Sequence, residues 1–119
     1  MKRIKDKLRK RYKRKLSIRK KIFGTAEKPR ITIYKSNKYC YIQVINDKKG
    51  ETLASASNIE KDNKKIKSTV EDIAKLGAVI ALRMKNKKIT TAIFDRNGYK
   101  YHGVVKAVAD GIRKAGIKF

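Results

Sequence analysis

Apolar and polar positions alternate through the first half of the chain in the way that β-strands require. Ile31 and Ile33 alternate with polar or half-polar neighbours, which predicts a strand over residues 30–36. Two more strands are predicted over 39–46 and 51–57, each after a short polar turn. Three consecutive strands joined by tight turns predict an antiparallel meander.

The period changes to that of a helix in the second half. Ser68 and Glu71 have the spacing of a capping box, so a helix is predicted to begin near Ser68. A short β-branched run at 90–94 predicts a fourth strand, and Gly116 is predicted to stop a last helix. The helix predicted near Ser68 has an apolar face made of Ile66, Val70, Ile73, Gly77, Ile80, Ala81 and Met84. The last helix has an apolar face made of Val105, Val108, Ala109, Ile112 and Ala115.

The element order βββαβα predicts an α/β fold. A right-handed crossover through the long helix places strand four parallel to strand one, so a mixed four-stranded sheet in the order 3-2-1-4 is expected. Both helices are expected on one face of this sheet, and the residues predicted to point toward them are Ile31, Ile33, Cys40, Ile42 and Val44. We predict one globular domain over 24–119, preceded by a separate arm over 1–23.

The arm has a different pattern. Its apolar residues Ile4, Leu8, Tyr12 and Leu16 recur every fourth position, which predicts a helix with one narrow apolar stripe. Residues 1–23 carry 13 Lys and Arg and a single acid, half of the net charge of +24. This small apolar surface does not offset the conformational entropy that the arm loses when it becomes ordered. We therefore expect the arm to be mobile in the free protein and helical when it lies against phosphates. The alternative is a merely solvated run of charge.

The overall charge points to a polyanionic partner. The 34 basic and 10 acidic residues would repel one another in a compact fold unless a polyanion neutralised them, and nucleic acid does so with release of counterions. No apolar run approaches the roughly 20 residues that span a bilayer, and no apolar core of a secretory signal follows the basic N-terminus. The lone Cys40 cannot form an internal disulfide, in agreement with a reducing cytosol.

Residues suited to catalysis are few. His102 and Cys40 lack neighbours of metal-binding type, and Cys40 lies in the apolar alternation, as expected of a core residue. Asp95, at a strand end, is the one acid placed like a catalytic residue. Without partners, its expected role is to orient Arg96 or to cap the loop. We predict no enzyme activity, no cofactor and no metal.

Two regions are candidates for RNA contact. Tyrosines and polar residues share one predicted sheet face, where they could stack on splayed bases or simply be ordinary strand formers. These residues are Arg30, Tyr34, Tyr39, Tyr41 and Gln43. The loop after strand four offers cations for phosphates and planes for stacking, unless it is a solvated connector. Its candidates are Arg96, Tyr99, Lys100, Tyr101, His102 and the following Lys106, around a tight turn at Asn97-Gly98.

Several motifs together indicate a known family. The segment Phe-Asp-Arg-Asn-Gly-Tyr-Lys-Tyr-His-Gly at 94–103 resembles the bacterial large-subunit ribosomal protein L-eighteen family, as do Gly-Thr-Ala-Glu-Lys-Pro-Arg at 24–30, Ser-Asn-Lys at 36–38 and Thr-Leu-Ala-Ser-Ala-Ser at 52–57. With the basic arm and the C-terminal Ala-Gly-Ile-Lys-Phe, the likeness covers nearly the whole chain. It implies binding to 5S rRNA and its attachment to 23S rRNA in the central protuberance, near the protein L-five. It also implies a fold similar to the ribonuclease-H-like group without that group's catalytic carboxylates.

The resemblance also implies which residues contact RNA. Carried over by position, they are the arm cations Lys2, Arg3, Lys7, Arg9, Lys10, Arg11, Lys13, Arg14, Lys15, Arg19, Lys20 and Lys21, the turn Ser36, Asn37 and Lys38, and the loop from Arg96 to His102. Two positions depart from the family pattern. Val104 stands where Arg is common, which removes one possible phosphate contact, and Asn97 replaces a usual Gly.

Two other classes of function stay open at this point. A DNA-architectural protein would need a kinking wedge or dimeric arms, and neither is visible in the sequence. A membrane-active basic protein would work through residues 1–23 alone.

Overall fold

The computed structural model describes the backbone of residues 2–119 and the side chains of residues 5–119. Its strands are β1 (Arg30–Lys35), β2 (Cys40–Asn46), β3 (Glu51–Ser57) and β4 (Ile93–Asp95). Its α-helices are α1 (Lys2–Arg19), α2 (Ala74–Asn86) and α3 (Val104–Lys114), and a 3-10 turn spans Lys61–Asn63.

The four strands form one mixed sheet in the order β3-β2-β1-β4. β2 pairs antiparallel with both β1 and β3, and β4 pairs parallel with β1. The predicted sheet order and the parallel crossover are therefore confirmed. The fourth strand is shorter than predicted and lies later in the chain, since residues 90–92 form only an isolated bridge to the C-terminus, between Thr91 and Lys118.

α2 and α3 cover one face of the sheet and enclose the hydrophobic core. The five strand residues predicted to face them, Ile31, Ile33, Cys40, Ile42 and Val44, are all fully buried. The two helices pack closely because α2 presents Gly77 to α3. A Cβ at this position would lie 2.7 Å from the Val108 carbonyl oxygen, closer than carbon and oxygen can approach.

The predicted start of α2 near Ser68 is wrong. The helix begins at Ala74, without a side-chain cap at its N-cap residue Ile73. The Asp72 carboxylate accepts the Lys67 N–H at 3.0 Å, and residues 69–73 form successive turns. These local hydrogen bonds compete with the capping box, and Val70, predicted to lie in the core, is 53% exposed.

α1 lies on the opposite face of the sheet, against β1 and the loop that follows β4. The chain therefore places two helices on the apolar face and one basic helix on the polar face. The division into an arm over 1–23 and a domain over 24–119 stays a prediction, as does the likeness to the ribonuclease-H-like group.

Candidate nucleic-acid interface

The loop after β4 reverses direction at Asn97 and Gly98. Both residues have positive φ, 53° and 77°, a conformation that asparagine and glycine adopt at low steric cost. The buried Asp95 carboxylate accepts the Asn97 N–H at 2.9 Å, and the Asn97 side-chain amide donates to the Ile33 carbonyl at 3.0 Å. The predicted tight turn is confirmed, and Asp95 caps the loop.

Two residues predicted to contact RNA hold the shape of this loop. The Arg96 guanidinium donates to the Tyr99 carbonyl at 2.9 Å. The Tyr99 hydroxyl accepts the Lys35 N–H and donates to the Lys35 carbonyl, both at 3.2 Å. These bonds fix the loop to the end of β1, so its geometry is set by the protein.

α1 docks directly on this loop through arginine side chains. Arg14 Nε donates to the Gly98 carbonyl at 3.0 Å, and Arg11 Nε donates to the Asn97 carbonyl at 3.4 Å. The Arg11 guanidinium also lies over the Tyr99 ring, 4.0 Å from its centroid. The helix therefore occupies one face of the ring that was predicted to stack on a base.

Arg19 makes the last contact between α1 and the loop. Its Nε lies 3.3 Å from Asp95 Oδ2, and its terminal nitrogen donates to Asn97 Oδ1 at 3.3 Å. A Cβ at Gly98 would overlap the Arg11 carbonyl oxygen, so the helix backbone and the turn meet where only glycine leaves room. Arm and loop, predicted as separate elements, form one surface.

The docking face of α1 is not the predicted apolar stripe. Leu8, Tyr12 and Leu16 are 57%, 59% and 43% exposed. The half-buried positions are Arg11, Arg14, Lys15 and Ile18, which lie on a different side of the helix. No residue from 5 to 23 is buried, so α1 is held by polar and charged contacts. The predicted mobility of the arm without RNA stays a prediction.

Most of the described arm cations are open to solvent. Lys7, Arg9, Lys10, Lys13, Lys20 and Lys21 are all exposed. Lys15 differs, because it is half-buried between α1 and the sheet. Burial, together with the nearby charges of Arg19 and Arg11, lowers the pKa of its ammonium group. An anion placed beside Lys15 would relieve this repulsion. The predicted contacts of Lys2 and Arg3 lie outside the described side chains.

Arg30, predicted as an RNA contact, lies inside an ion-pair network instead. Its guanidinium donates twice to the Asp47 carboxylate, at 2.9 Å each, and once to Asp95 at 2.7 Å. These hydrogen bonds raise the pKa of Arg30 and lower the pKa of Asp47. The Arg30 side chain is only 9% exposed. Little of this side chain is therefore accessible to an RNA while the network is intact, and its contact with RNA stays a prediction. Asp95 pairs with Arg30 and Arg19, and of its two expected roles, orienting Arg96 or capping the loop, it has the second.

The open face of the sheet carries the predicted tyrosines. Tyr34 and Tyr41 are directly opposite in the β1–β2 register, 51% and 39% exposed, with ring centroids 6.1 Å apart. Tyr39 precedes β2 and lies in the exposed turn. Next to the tyrosine pair, Thr32 lies opposite Gln43. An open cleft of about 360 Å³ separates this face from α1.

The same end of the sheet presents further exposed polar side chains. Ser36, Asn37 and Lys38 form the exposed β1–β2 turn, which the buried Asn58 holds by donating to the Lys38 carbonyl at 3.1 Å. Lys100, Tyr101, His102 and Lys106 are also exposed. The Tyr101 hydroxyl accepts from Arg113 at 2.9 Å, and its ring meets Phe94 edge-on, which restricts its orientation.

The described residues offer little support for a reactive thiol, a metal site or a membrane span. Burial raises the pKa of the Cys40 thiol to about 12, so it stays protonated at neutral pH. In the part of the chain that the structure describes, no three His, Cys, Asp or Glu side chains gather as a metal site would require. None of the described helices is long and apolar enough to cross a membrane.

Comparison with known proteins agrees with the pattern of these residues. The family model described as "Ribosomal L18 of archaea, bacteria, mitoch. and chloroplast" matches residues 5–119. A Treponema denticola protein named "Large ribosomal subunit protein uL18" is 60% identical over 114 residues, covering 96% of this chain and 95% of the relative. Proteins of the same name from Brachyspira hyodysenteriae and Borrelia hermsii are 56% and 52% identical, covering 92% and 98% of both chains respectively.

Proposed function

Because this chain belongs to the L18 family of ribosomal proteins and is a constituent of the large subunit of the bacterial ribosome, we propose that it binds 5S rRNA and attaches it to 23S rRNA. As a ribosomal protein it is a structural component in the cytoplasm and not an enzyme. The proposed site of attachment is the central protuberance, beside the protein L-five, as the motifs at 94–103 and 24–30 imply.

The single observation that carries the proposal, beside the family, is the docking of α1 on the Asn97-Gly98 turn. This contact places the densest run of positive charge next to a loop of fixed geometry. Phosphate contacts from mobile cations add affinity for any RNA, whereas a rigid loop can select one shape. Binding and selection are therefore proposed to occur on one continuous surface.

The exposed arm cations are proposed to contact phosphates. They are exposed to solvent, so an RNA strand can reach them while the helix remains docked. Lys100, His102 and Lys106, together with the Ser36–Lys38 turn, are proposed to extend the contact beyond the arm. Arg96 and Tyr99 are proposed to act by shaping the loop.

A competition assay tests the proposal. The full chain is offered 5S rRNA, a tRNA as the competing structured RNA, duplex DNA and anionic vesicles together at physiological salt. Selective retention of 5S rRNA supports the proposal, and a second titration with 23S rRNA tests whether the protein joins the two RNAs in one complex. Equal retention of tRNA and 5S rRNA would contradict it, and preference for DNA or vesicles would favour the two other classes.

A further inference from the structure

The cleft between α1 and the open sheet face has the composition of a binding site for one nucleobase. Its floor is two adjacent cross-strand pairs, the aromatic pair Tyr34–Tyr41 and the polar pair Thr32–Gln43. Lys15 and Arg19 of α1 form the opposite wall. Its volume of about 360 Å³ lies at the lower end of the range for small-molecule sites, which suits a single base.

A buried, unsatisfied hydroxyl beside the cleft points to a missing partner. Thr32 is 9% exposed, and its Oγ1 is the one buried side-chain polar atom without a hydrogen-bond partner among the described residues. A buried hydroxyl without a partner is costly, so such groups are normally satisfied in proteins. Opposite it, the exposed amide of Gln43 can both donate and accept. Together they offer a hydrogen-bonding edge beside an aromatic plane.

We propose that this cleft takes up one unpaired, splayed-out nucleotide of the bound ribosomal RNA. The base lies against Tyr41 with its edge at Gln43, and a small shift of the side chains around Thr32 lets the edge reach Thr32 Oγ1, while the backbone of the same strand passes Lys15. This arrangement uses stacking and edge recognition, the means by which proteins read single-stranded RNA. The proposal rests on the proposed RNA-binding function, and it names which part of the RNA the sheet face recognises.

The neighbouring charges favour this occupant over a neutral ligand. Arg19 is already paired with Asp95, whereas Lys15 makes no ion pair among the described side chains. The pKa of Lys15 is lowered by burial and by the nearby cations, and a phosphate beside Lys15 would stabilise its charged form. The aromatic pair matches the face of a base, and the polar pair matches its edge. The Lys15 ammonium group matches the phosphate.

Thr32→Val tests the edge contact. Valine keeps the shape of threonine and removes only the unsatisfied hydroxyl, so the domain should stay folded and gain a little stability. If the hydroxyl binds a base, affinity of the full chain for 5S rRNA should fall about two- to tenfold, the effect of losing one ordinary hydrogen bond. Thr52→Val, the same change on β3 away from the cleft, serves as the matched control.

Tyr41→Ala tests the stacking contact, and affinity should fall by about five- to a hundredfold. Tyr41→Phe keeps the ring and should recover most of that loss. Ultraviolet crosslinking to 5S and 23S rRNA, followed by mass spectrometry, should place one nucleotide on Tyr41 or Tyr34, and Thr32→Val should weaken this crosslink. Thermal melting of every variant shows whether the domain is folded.

The outcomes separate the two proposals. Unchanged affinity in folded Thr32→Val and Tyr41→Ala, with no crosslink to the sheet tyrosines, overturns the base site and leaves 5S binding intact. A crosslink and weakened variants on 23S rRNA alone would overturn the 5S assignment and support the base site.

Discussion

α1 and α3 lie on opposite faces of the same sheet and are held by opposite kinds of contact. α3 buries Val105, Val108, Ala109 and Ile112 in the core. α1 buries no described side chain and is fixed by arginine hydrogen bonds to a turn. Added salt screens exposed charge contacts, whereas it does not weaken apolar burial in this way. We infer that α3 belongs to the fold and α1 to the binding reaction.

Deleting residues 1–23 should have the largest effect and tests this comparison most severely. In the wild-type protein, where the arm and loops are expected to neutralise about 6–10 phosphates, the affinity for 5S rRNA should fall by a factor of about 10³–10⁵ as salt rises from about 50 to 200 mM. The deletion should weaken binding to every RNA and flatten this salt dependence, because it removes 13 of the 34 basic residues.

The deleted chain should nevertheless melt as a folded domain, since the core residues all lie beyond residue 30. Binding titrations at several salt concentrations and a melting curve measure both effects. Loss of cooperative melting in the deleted chain would show that α1 is part of the fold and would contradict the comparison.

An alanine substitution in α3 should lower the stability of the protein much more than an alanine substitution in α1. Ile112→Ala in α3 removes a fully buried side chain and should lower the free energy of unfolding by about 2–5 kcal/mol. Leu16→Ala in α1 removes a side chain that is 43% exposed and should change it by no more than about 0.5 kcal/mol. Urea denaturation measures both. Equal losses would mean that α1 contributes apolar burial after all.

The loop should control selectivity more than affinity. Replacing Arg96 and Tyr99 together by alanine removes the bonds that shape the loop and the ring on which Arg11 lies. The preference for 5S rRNA over tRNA should then fall about tenfold, as expected from losing one or two of the hydrogen bonds that hold the loop in shape. Paired titrations with both RNAs measure this, and circular dichroism confirms folding. If this variant kept its preference while the arm deletion abolished it, the two roles would be reversed.

The free protein should show the contrast as a difference in motion. We expect lower backbone order parameters in α1 than in α3 without RNA, and similar values once 5S rRNA is bound, because phosphates add contacts that the docked arginines lack. NMR relaxation measured in both states provides the comparison. Equally rigid helices in the free protein would show that the contacts to Asn97 and Gly98 alone order the arm.

The smallest effect should appear at the junction between arm and sheet. Hydrogen bonds from Arg30 lower the pKa of Asp47, so this carboxylate stabilises the fold above the ordinary aspartate value of about 3.9. The contribution is lost as the pH falls through the lowered pKa of the folded state. Unfolding measured from about pH 5 downward should show a weaker acid dependence in Asp47→Asn than in the wild type, and Asp110→Asn is the control for an exposed carboxylate.

The sequence was a good guide wherever contacts repeat with a fixed period. The sheet order and the buried positions from Ile31 to Val44 follow from alternation and from the handedness of crossovers. The start of α2 was missed because Asp72 forms a local bond to Lys67 that competes with the cap. Residues 70–73 have helical spacing without being a helix.

The candidate site was predictable in its parts but not in its assembly. The arm cations and the Asn97-Gly98 turn were recognisable from composition and from turn chemistry. Their contact joins residues more than 80 positions apart through arginines, which leave no periodic signal. The spacing of Leu8, Tyr12 and Leu16 predicted an apolar stripe but not where it lies, and in the structure it points to solvent. Arg30 is buried because it pairs with Asp47 and Asp95, and pairs so far apart in the sequence leave no periodic signal either.

Cys40 gives the molecule an intrinsic reporter of core opening. The thiol is fully buried beneath the helices and stays protonated at neutral pH, so a thiol-labelling reagent can reach it only when β2 separates from them. The labelling rate therefore measures transient exposure of the core in the unmodified protein. Undocking of α1 from the opposite face leaves Cys40 covered, so arm release and domain unfolding are distinguishable in one sample without any substitution.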